Sequence, residues 1–255
     1  MLLCIDIGNT NIKLGLFEGD KMVNRWRISA DRTTLADQYG ILLLNFFAFE
    51  GIDVGALDGC AISSVVPSLT QVFDDLTRRY FNLEPIVISA ETRTGMRINT
   101  EYPAEVGPDL IMNAYAARHL YGAPVIVVSF GTATSFSAVS AQGEFEGVSI
   151  APGIIASAEA LFLSTAALPQ VALKLPRTAI GKNTIKSLQS GLVFGFAALV
   201  DGLVSRIQGE LGGGARVVAT GGLADLIVPE TTVIEAIEPD LALIGLRLVY
   251  DLNRK

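Results

Sequence analysis

The chain has 255 residues, 50% hydrophobic and 18% charged, with a formal net charge of −7, so it can bury one large core or two modest ones. Its acidic balance, with a pI of about 4.8 and a mean hydropathy of +0.46, and the lack of any Lys/Arg run argue against nucleic acid as a partner. Cys4 and Cys60 both lie in apolar strand-like runs and read as small core residues of a reducing compartment. The N-terminus lacks the pattern of a secretory leader, and the most apolar helical stretch, 192–204, contains Asp201 and is too short for a bilayer. A soluble cytoplasmic protein with no membrane partner is expected.

The chain opens on an apolar run, a carboxylate at Asp6 and a small polar turn, Gly8-Asn9-Thr10-Asn11, after which apolar alternation resumes at Ile12, Leu14 and Leu16. This predicts strand, tight turn, strand. Gly8 permits close backbone approach to a ligand, successive N–H groups of such a turn form an anion nest to which Thr10 adds a hydroxyl, and Asp6 is placed to hold a hydrated Mg²⁺. The plainer alternative is a hairpin whose Asp6 bonds its own turn.

A third strand is expected over 21–28, with Trp26 as a packing residue. A helix over 35–49 follows, capped by Asp31 or Thr33 and ended by Gly51. A buried strand over 57–63, a helix opening at Pro67 and a strand over 85–89 come next. Residues 92–107 have no clear period and read as a loop. Residues 109–121 are helical, with His119 near the end as a surface residue; no metal site or Ser/His/Asp triad can be built around this single histidine.

The opening pattern then returns. Residues 124–137 read as strand, small polar turn, strand, aligning Asp6-Ile7-Gly8-Asn9-Thr10 with Ser129-Phe130-Gly131-Thr132-Ala133, and a third strand is expected over 144–150. This is an internal repeat of about half the chain. A helix to Ala166, an irregular stretch over 168–176, a long helix over 185–210, a strand over 216–219, the turn Thr220-Gly221-Gly222, a strand over 233–237 and a C-terminal helix from Pro239 complete the reading.

Six motifs in order, Asp6-Ile7-Gly8-Asn9-Thr10, Glu105-Val106-Gly107-Pro108-Asp109, Phe130-Gly131-Thr132-Ala133-Thr134, Ile150-Ala151-Pro152-Gly153, Gly181-Lys182-Asn183-Thr184 and Thr220-Gly221-Gly222-Leu223-Ala224, resemble those of type III pantothenate kinases, of the acetate kinase, sugar kinase, Hsp70 and actin superfamily. The resemblance spans essentially the whole chain. It implies an α/β, duplicated ribonuclease-H-like fold with two lobes, 1–117 and 118–255, around a central cleft. It also implies a homodimer, and phosphorylation of pantothenate by ATP with Mg²⁺ and a monovalent cation (K⁺ or NH₄⁺), the first step toward coenzyme A.

Residue by residue, the resemblance makes Asp6, Ile7, Gly8, Asn9, Thr10, Asn11, Ile12 and Lys13 the first phosphate loop, with Asp6 serving Mg²⁺. Thr132 becomes a nucleotide contact in the second loop. Asp109 becomes the general base, and Thr100, Gly107, Pro108, Leu110 and Thr184 line the pantothenate site, Thr184 across the dimer interface. Without the family, Asp109 reads as a helix N-cap.

The chain also departs from the family pattern. Ser129 stands where an Asp holds the monovalent cation, Leu110 where an Arg follows the base, Thr100 where an aromatic residue is usual, and Ser137 and Val148 where Asp and Gly are common. An Arg makes forked, charge-assisted contacts that Leu cannot. Two function classes follow: an active pantothenate kinase with altered cation or substrate handling, favoured by the intact Asp6 and Asp109, and an impaired relative acting as a ligand-binding or regulatory protein. Another small-molecule kinase of the superfamily is a third, since fold does not fix substrate.

Overall fold

The structure, a computed structural model, describes residues 1–89, 92–165 and 167–254. The chain divides into two compact units, the first comprising 1–96, 102–116 and everything from 242 onward, the second 97–101 and 117–241.

In the first unit a five-stranded sheet has the order β3-β2-β1-β4-β5, formed by β1 (Leu2–Ile7), β2 (Asn11–Glu18), β3 (Lys21–Ser29), β4 (Gly59–Ser64) and β5 (Ile86–Val87). β1 to β3 form an antiparallel meander, and β4 joins β1 in parallel. Every residue of β1 is buried, as expected of a central strand covered on both faces. On one face Leu3, Ile5, Ile7, Ile12, Leu14 and Ile62 pack with Leu43 and Phe47 of α1 (Ala36–Glu50) and with Leu69, Phe73 and Leu76 of α2 (Pro67–Phe81). Trp26 is the expected packing residue, stacked on Phe46 at 6.0 Å between ring centroids. Both cysteines are buried, and burial pushes the Cys60 thiol up to about 12, leaving it unreactive near neutral pH.

In the second unit a five-stranded sheet has the order β10-β9-β6-β7-β8, built from β6 (Val125–Phe130), β7 (Ala133–Val139), β8 (Phe145–Pro152), β9 (Arg216–Thr220) and β10 (Ala236–Ile237). Replacing β1 to β5 by β6 to β10 reproduces the first sheet's order and its parallel and antiparallel pairings. The α/β fold is therefore duplicated, as the internal repeat implied, and ribonuclease-H-like, as the family resemblance implied. Ile126, Val128 and Phe130 pack on α5 (Thr184–Glu210) through Leu192, Val193, Phe196, Val200 and Val204. Beside α5 lie α4 (Ile154–Leu163) and the short α6 (Ala224–Ile227).

Several expectations are corrected. α7 (Leu241–Asn253) groups from Ala242 with the first unit and not with residues 118–255. Gly245 lies against the Met112 backbone and the buried Arg247 pairs with Asp20 in the β2–β3 turn. Residues 97–101 join the second unit because Phe145 of β8 exchanges backbone hydrogen bonds with Arg97 and Asn99. Leu35, not Asp31 or Thr33, precedes α1; its N–H donates to the Gln38 side chain, while the Asp31 carboxylate is engaged by Thr33. α4 ends at Leu163, and its expected bound, Ala166, lies outside the described residues.

α5 matches the long helix expected over 185–210 and extends well beyond its most apolar stretch, 192–204. At 27 residues it is long and apolar enough to cross a membrane by length and composition. Its buried face from Leu192 to Ile207 instead packs into the second unit's core.

Candidate active site

β1 and β2 pair without interruption from Leu2↔Phe17 to Ile7↔Ile12, and Gly8 N–H closes the turn by donating to the Asn11 carbonyl at 3.0 Å. A Cβ on Gly8 would meet that carbonyl at 3.1 Å, so glycine keeps the turn tight and its outer backbone open. The segment after β3 braces the turn: Ala30 N–H donates to the Thr10 carbonyl at 3.0 Å, and Arg32 Nη2 donates to Asn9 Oδ1 at 3.1 Å. Ile7 and Ile12 are core residues, so at the turn they offer only backbone.

Asp6 points to the opposite face from Ile5 and Ile7. Strand register places Ser63, Asp6, Lys13 and Arg27 in one row across β4, β1, β2 and β3, all on the same face. Asp6 is buried, and its carboxyl is pushed up to about 6. Burial is the largest cause; Lys13 opposes the shift, the Asp109 charge adds to it, and Ser63 opposes it. The Ser63 hydroxyl meets no partner with full hydrogen-bonding geometry, yet beside Asp6 it favours the ionised carboxylate.

Asp109 reaches the same group from α3 (Pro108–Tyr121). Pro108 sits at the first helical position, where its fixed φ and missing N–H cost nothing. The Gly107 carbonyl accepts from Leu110 and Ile111 N–H at 3.1 and 3.3 Å. Asp109 thus stands in the first turn and is not the cap residue. Its carboxylate folds back over Gly107: Oδ1 lies 2.7 Å from where a Cβ would be. Burial raises its pKa, while the backbone N–H groups of Leu110 and Asp109 and the Lys13 charge hold it down. The structure therefore brings Asp6, Lys13 and Asp109 into one electrostatic group.

The second unit repeats the arrangement without the charges. Ser129 is paired with Ser135 on one side and Thr220 on the other, the positions that Lys13 and Ser63 hold around Asp6. The buried Thr220 hydroxyl has no hydrogen-bond partner. Gly153 lies against the Gly131 and Thr132 carbonyls, and Gly221, at φ +99°, against the Phe130 backbone, so Thr132 is exposed on a turn pressed between two glycines. Thr184 opens α5, whose cap Asn183 accepts from Lys186 N–H at 2.9 Å. Thr100 is half-buried beside β8, its hydroxyl unpartnered. His119 is exposed in the last turn of α3, as expected.

Sequence reasoning missed Ser63, Arg27 and Arg32. Arg25 and Arg27 alternate along 21–29, so the hairpin register alone would have set Arg27 beside Lys13. No local pattern announces Ser63, since its place depends on a parallel pairing between distant segments.

The two sheets of like order, each with a glycine turn after its first strand, define a duplicated ribonuclease-H-like α/β protein. The inorganic polyphosphate/ATP-glucomannokinase of Arthrobacter sp. strain KM shares the fold, with a TM-score of 0.52 at 17% identity over 99% of both chains. The sequence profile of type III pantothenate kinase matches residues 2–206. The type III pantothenate kinases of Roseiflexus sp. (strain RS-1) and Roseiflexus castenholzii are 54% and 52% identical over 100% of this chain and of their own. The chain belongs to the type III pantothenate kinase family.

Proposed function

We propose that the chain transfers the γ-phosphoryl group of ATP to the primary hydroxyl of pantothenate, the first step of coenzyme A biosynthesis. The observation that carries this reading is the Asp109 carboxylate held at the start of α3 within electrostatic reach of Asp6 and Lys13 at the Gly8 turn. The Gly8–Asn11 backbone and Lys13 receive the nucleotide phosphates, and Thr132 adds a contact from the second turn. Gly107, Pro108, Leu110, Thr100 and Thr184 position pantothenate. Asp109 accepts the hydroxyl proton as that oxygen bonds to the γ-phosphorus and the bond to the β-phosphate oxygen breaks, releasing ADP. A raised pKa suits a base in a reaction governed mainly by positioning.

Asp6 fits a hydrated Mg²⁺, which needs only one or two carboxylates and otherwise keeps waters and substrate phosphates; no group of three or more His, Cys, Asp or Glu among the described residues forms a protein cage. When bound, the ion neutralises phosphate charge. The neutral hydroxyls of Ser129, Ser135 and Thr220 do not fit a monovalent-cation site that relies on a carboxylate, and the reaction is assigned no step through such an ion.

We further infer a cytoplasmic homodimer. Supporting a second copy as occupant, the second unit exposes Ile150, Ile155, Leu163, Ile180 and Ile185 around α4 and the start of α5, where Thr184 also lies.

A coupled ATP-turnover assay with Mg²⁺, with and without pantothenate, tests the reading. Pantothenate-dependent turnover that disappears in Asp109→Asn is the expected result. An inert native protein that gains turnover in the Ser129→Asp, Leu110→Arg double variant would instead make it an inactivated relative.

A further inference from the structure

The row Ser63–Asp6–Lys13–Arg27 does not stop at the residues assigned above. Arg27 lies one strand beyond Lys13 and two beyond Asp6, which at sheet spacing is roughly 10 Å from Asp6. It is exposed on the site face, and no carboxylate among the described residues pairs with it. Beside the same turn, Arg32 is also exposed and bonded to Asn9. Lys13 also faces two carboxylates, Asp6 and Asp109, so its single charge is shared between them and a bound phosphate. Asp31, next to Arg32 in the chain, is hydrogen-bonded by Thr33 and keeps its negative charge, so it offsets part of that cation. A nucleotide tail with several negative charges therefore needs cations beyond Lys13, and a guanidinium presents the planar donor fork that phosphate oxygens match.

We propose that Arg27 and Arg32 join Lys13 in a cationic arc around the β1–β2 turn that binds the polyphosphate tail of the nucleotide. This rests on the kinase reading for the identity of the ligand. Arg27 reaches the tail from the sheet face. Arg32 reaches it from beside Asn9, which it braces.

Calorimetry with MgATP, MgADP and AMP on the full chain tests it. The native protein should bind in the order ATP, ADP, AMP. Arg27→Gln and Arg32→Gln should each weaken ATP about tenfold, or about 1.4 kcal/mol, leave AMP within about twofold, and flatten the ladder. Arg27→Lys should fall between native and Gln, and Asn9→Ala, which removes the brace but keeps the Arg32 charge, should weaken ATP less than Arg32→Gln. In turnover, Arg27→Gln should raise the KM for ATP with kcat within about threefold.

Native ATP affinity in both Gln variants overturns the proposal, as does equal weakening of ATP and AMP, the mark of a collapsed turn. If these variants lose the ladder but the native protein never phosphorylates pantothenate, the arc stands and the kinase reading falls. If pantothenate-dependent turnover is present and the ladder stays intact in both variants, the kinase reading stands and the arc falls. A native protein that binds no nucleotide removes both.

Discussion

Asp6 is buried and Asp109 half-buried, both with raised pKa values, and the proposed reaction gives them separable roles. In the proposed reaction Asp109 acts on the acceptor hydroxyl, so Asp109→Asn should lower kcat by at least about 10²-fold while MgATP affinity stays within about twofold, checked by single-turnover kinetics and calorimetry. Asp6 carries a stability cost. Its carboxyl titrates near 6 in the fold against an ordinary 3.8, so the fold prefers the protonated form. That preference acts fully below the unfolded value and is lost as pH rises through 6. At neutral pH the buried charge costs up to about 3 kcal/mol. Asp6→Asn should thus raise unfolding stability by up to that amount near neutral pH, with the gain vanishing toward pH 4; thermal unfolding across that range without ligand checks it. At Ser129 the charge is missing, and ATP turnover should be the same within about twofold in K⁺ and in Na⁺. A strict K⁺ requirement would show that hydroxyls and backbone suffice for the ion.

Elements differ in how much of them the sequence reveals. The hairpins β1–β2 and β6–β7 are local, and their apolar alternation and glycine turns were legible to within two residues. β5 and β10 are two-residue strands fixed only by parallel pairing to β4 and β9, so composition overstated them. The first glycine turn was legible because its residues are contiguous, whereas Ser63 enters by a pairing 57 positions distant that no window contains. Glycine spacing hinted at the second turn without showing why it is needed. The backbone of Phe130 leaves no room for a side chain at Gly221, whose φ of +99° also strains any other residue. Gly221→Ala should therefore cost about 1–3 kcal/mol and, because the displaced strand end carries the Thr132 turn, weaken ATP. Urea unfolding with parallel ATP titration measures both, and an unchanged midpoint would show that the β6–β9 contact is looser than it looks.

At the scale of the molecule, duplication explains why one half of the chain could be read from the other, and also where that reading fails. The two sheets have the same order, yet Asp6, Lys13 and Ser63 correspond to Ser129, Ser135 and Thr220, so only the first copy keeps ionisable groups at its turn. The chain order likewise hid the return of α7 to the first unit, because nothing local marks Gly245 as the partner of Met112. The proposed assembly rests on exposed apolar side chains. In the second unit, Leu163 is 78% and Ile180 74% exposed, with Ile150 and Ile185 nearby in the same segment of chain. Such side chains cost about 25 cal/mol per Å² of apolar area left in water, a cost that the proposed homodimer would relieve. A two-fold contact there would be self-complementary and should bury well over about 1,000 Å². It would also bring Thr184 to the partner's site. Sedimentation should give a dimer at micromolar concentration, and a paired charge substitution, Leu163→Glu with Ile180→Glu, should yield a folded monomer whose KM for pantothenate rises by about tenfold or more, while its MgATP affinity stays within about twofold. A native monomer with full turnover would overturn both the interface and the role of Thr184 across it.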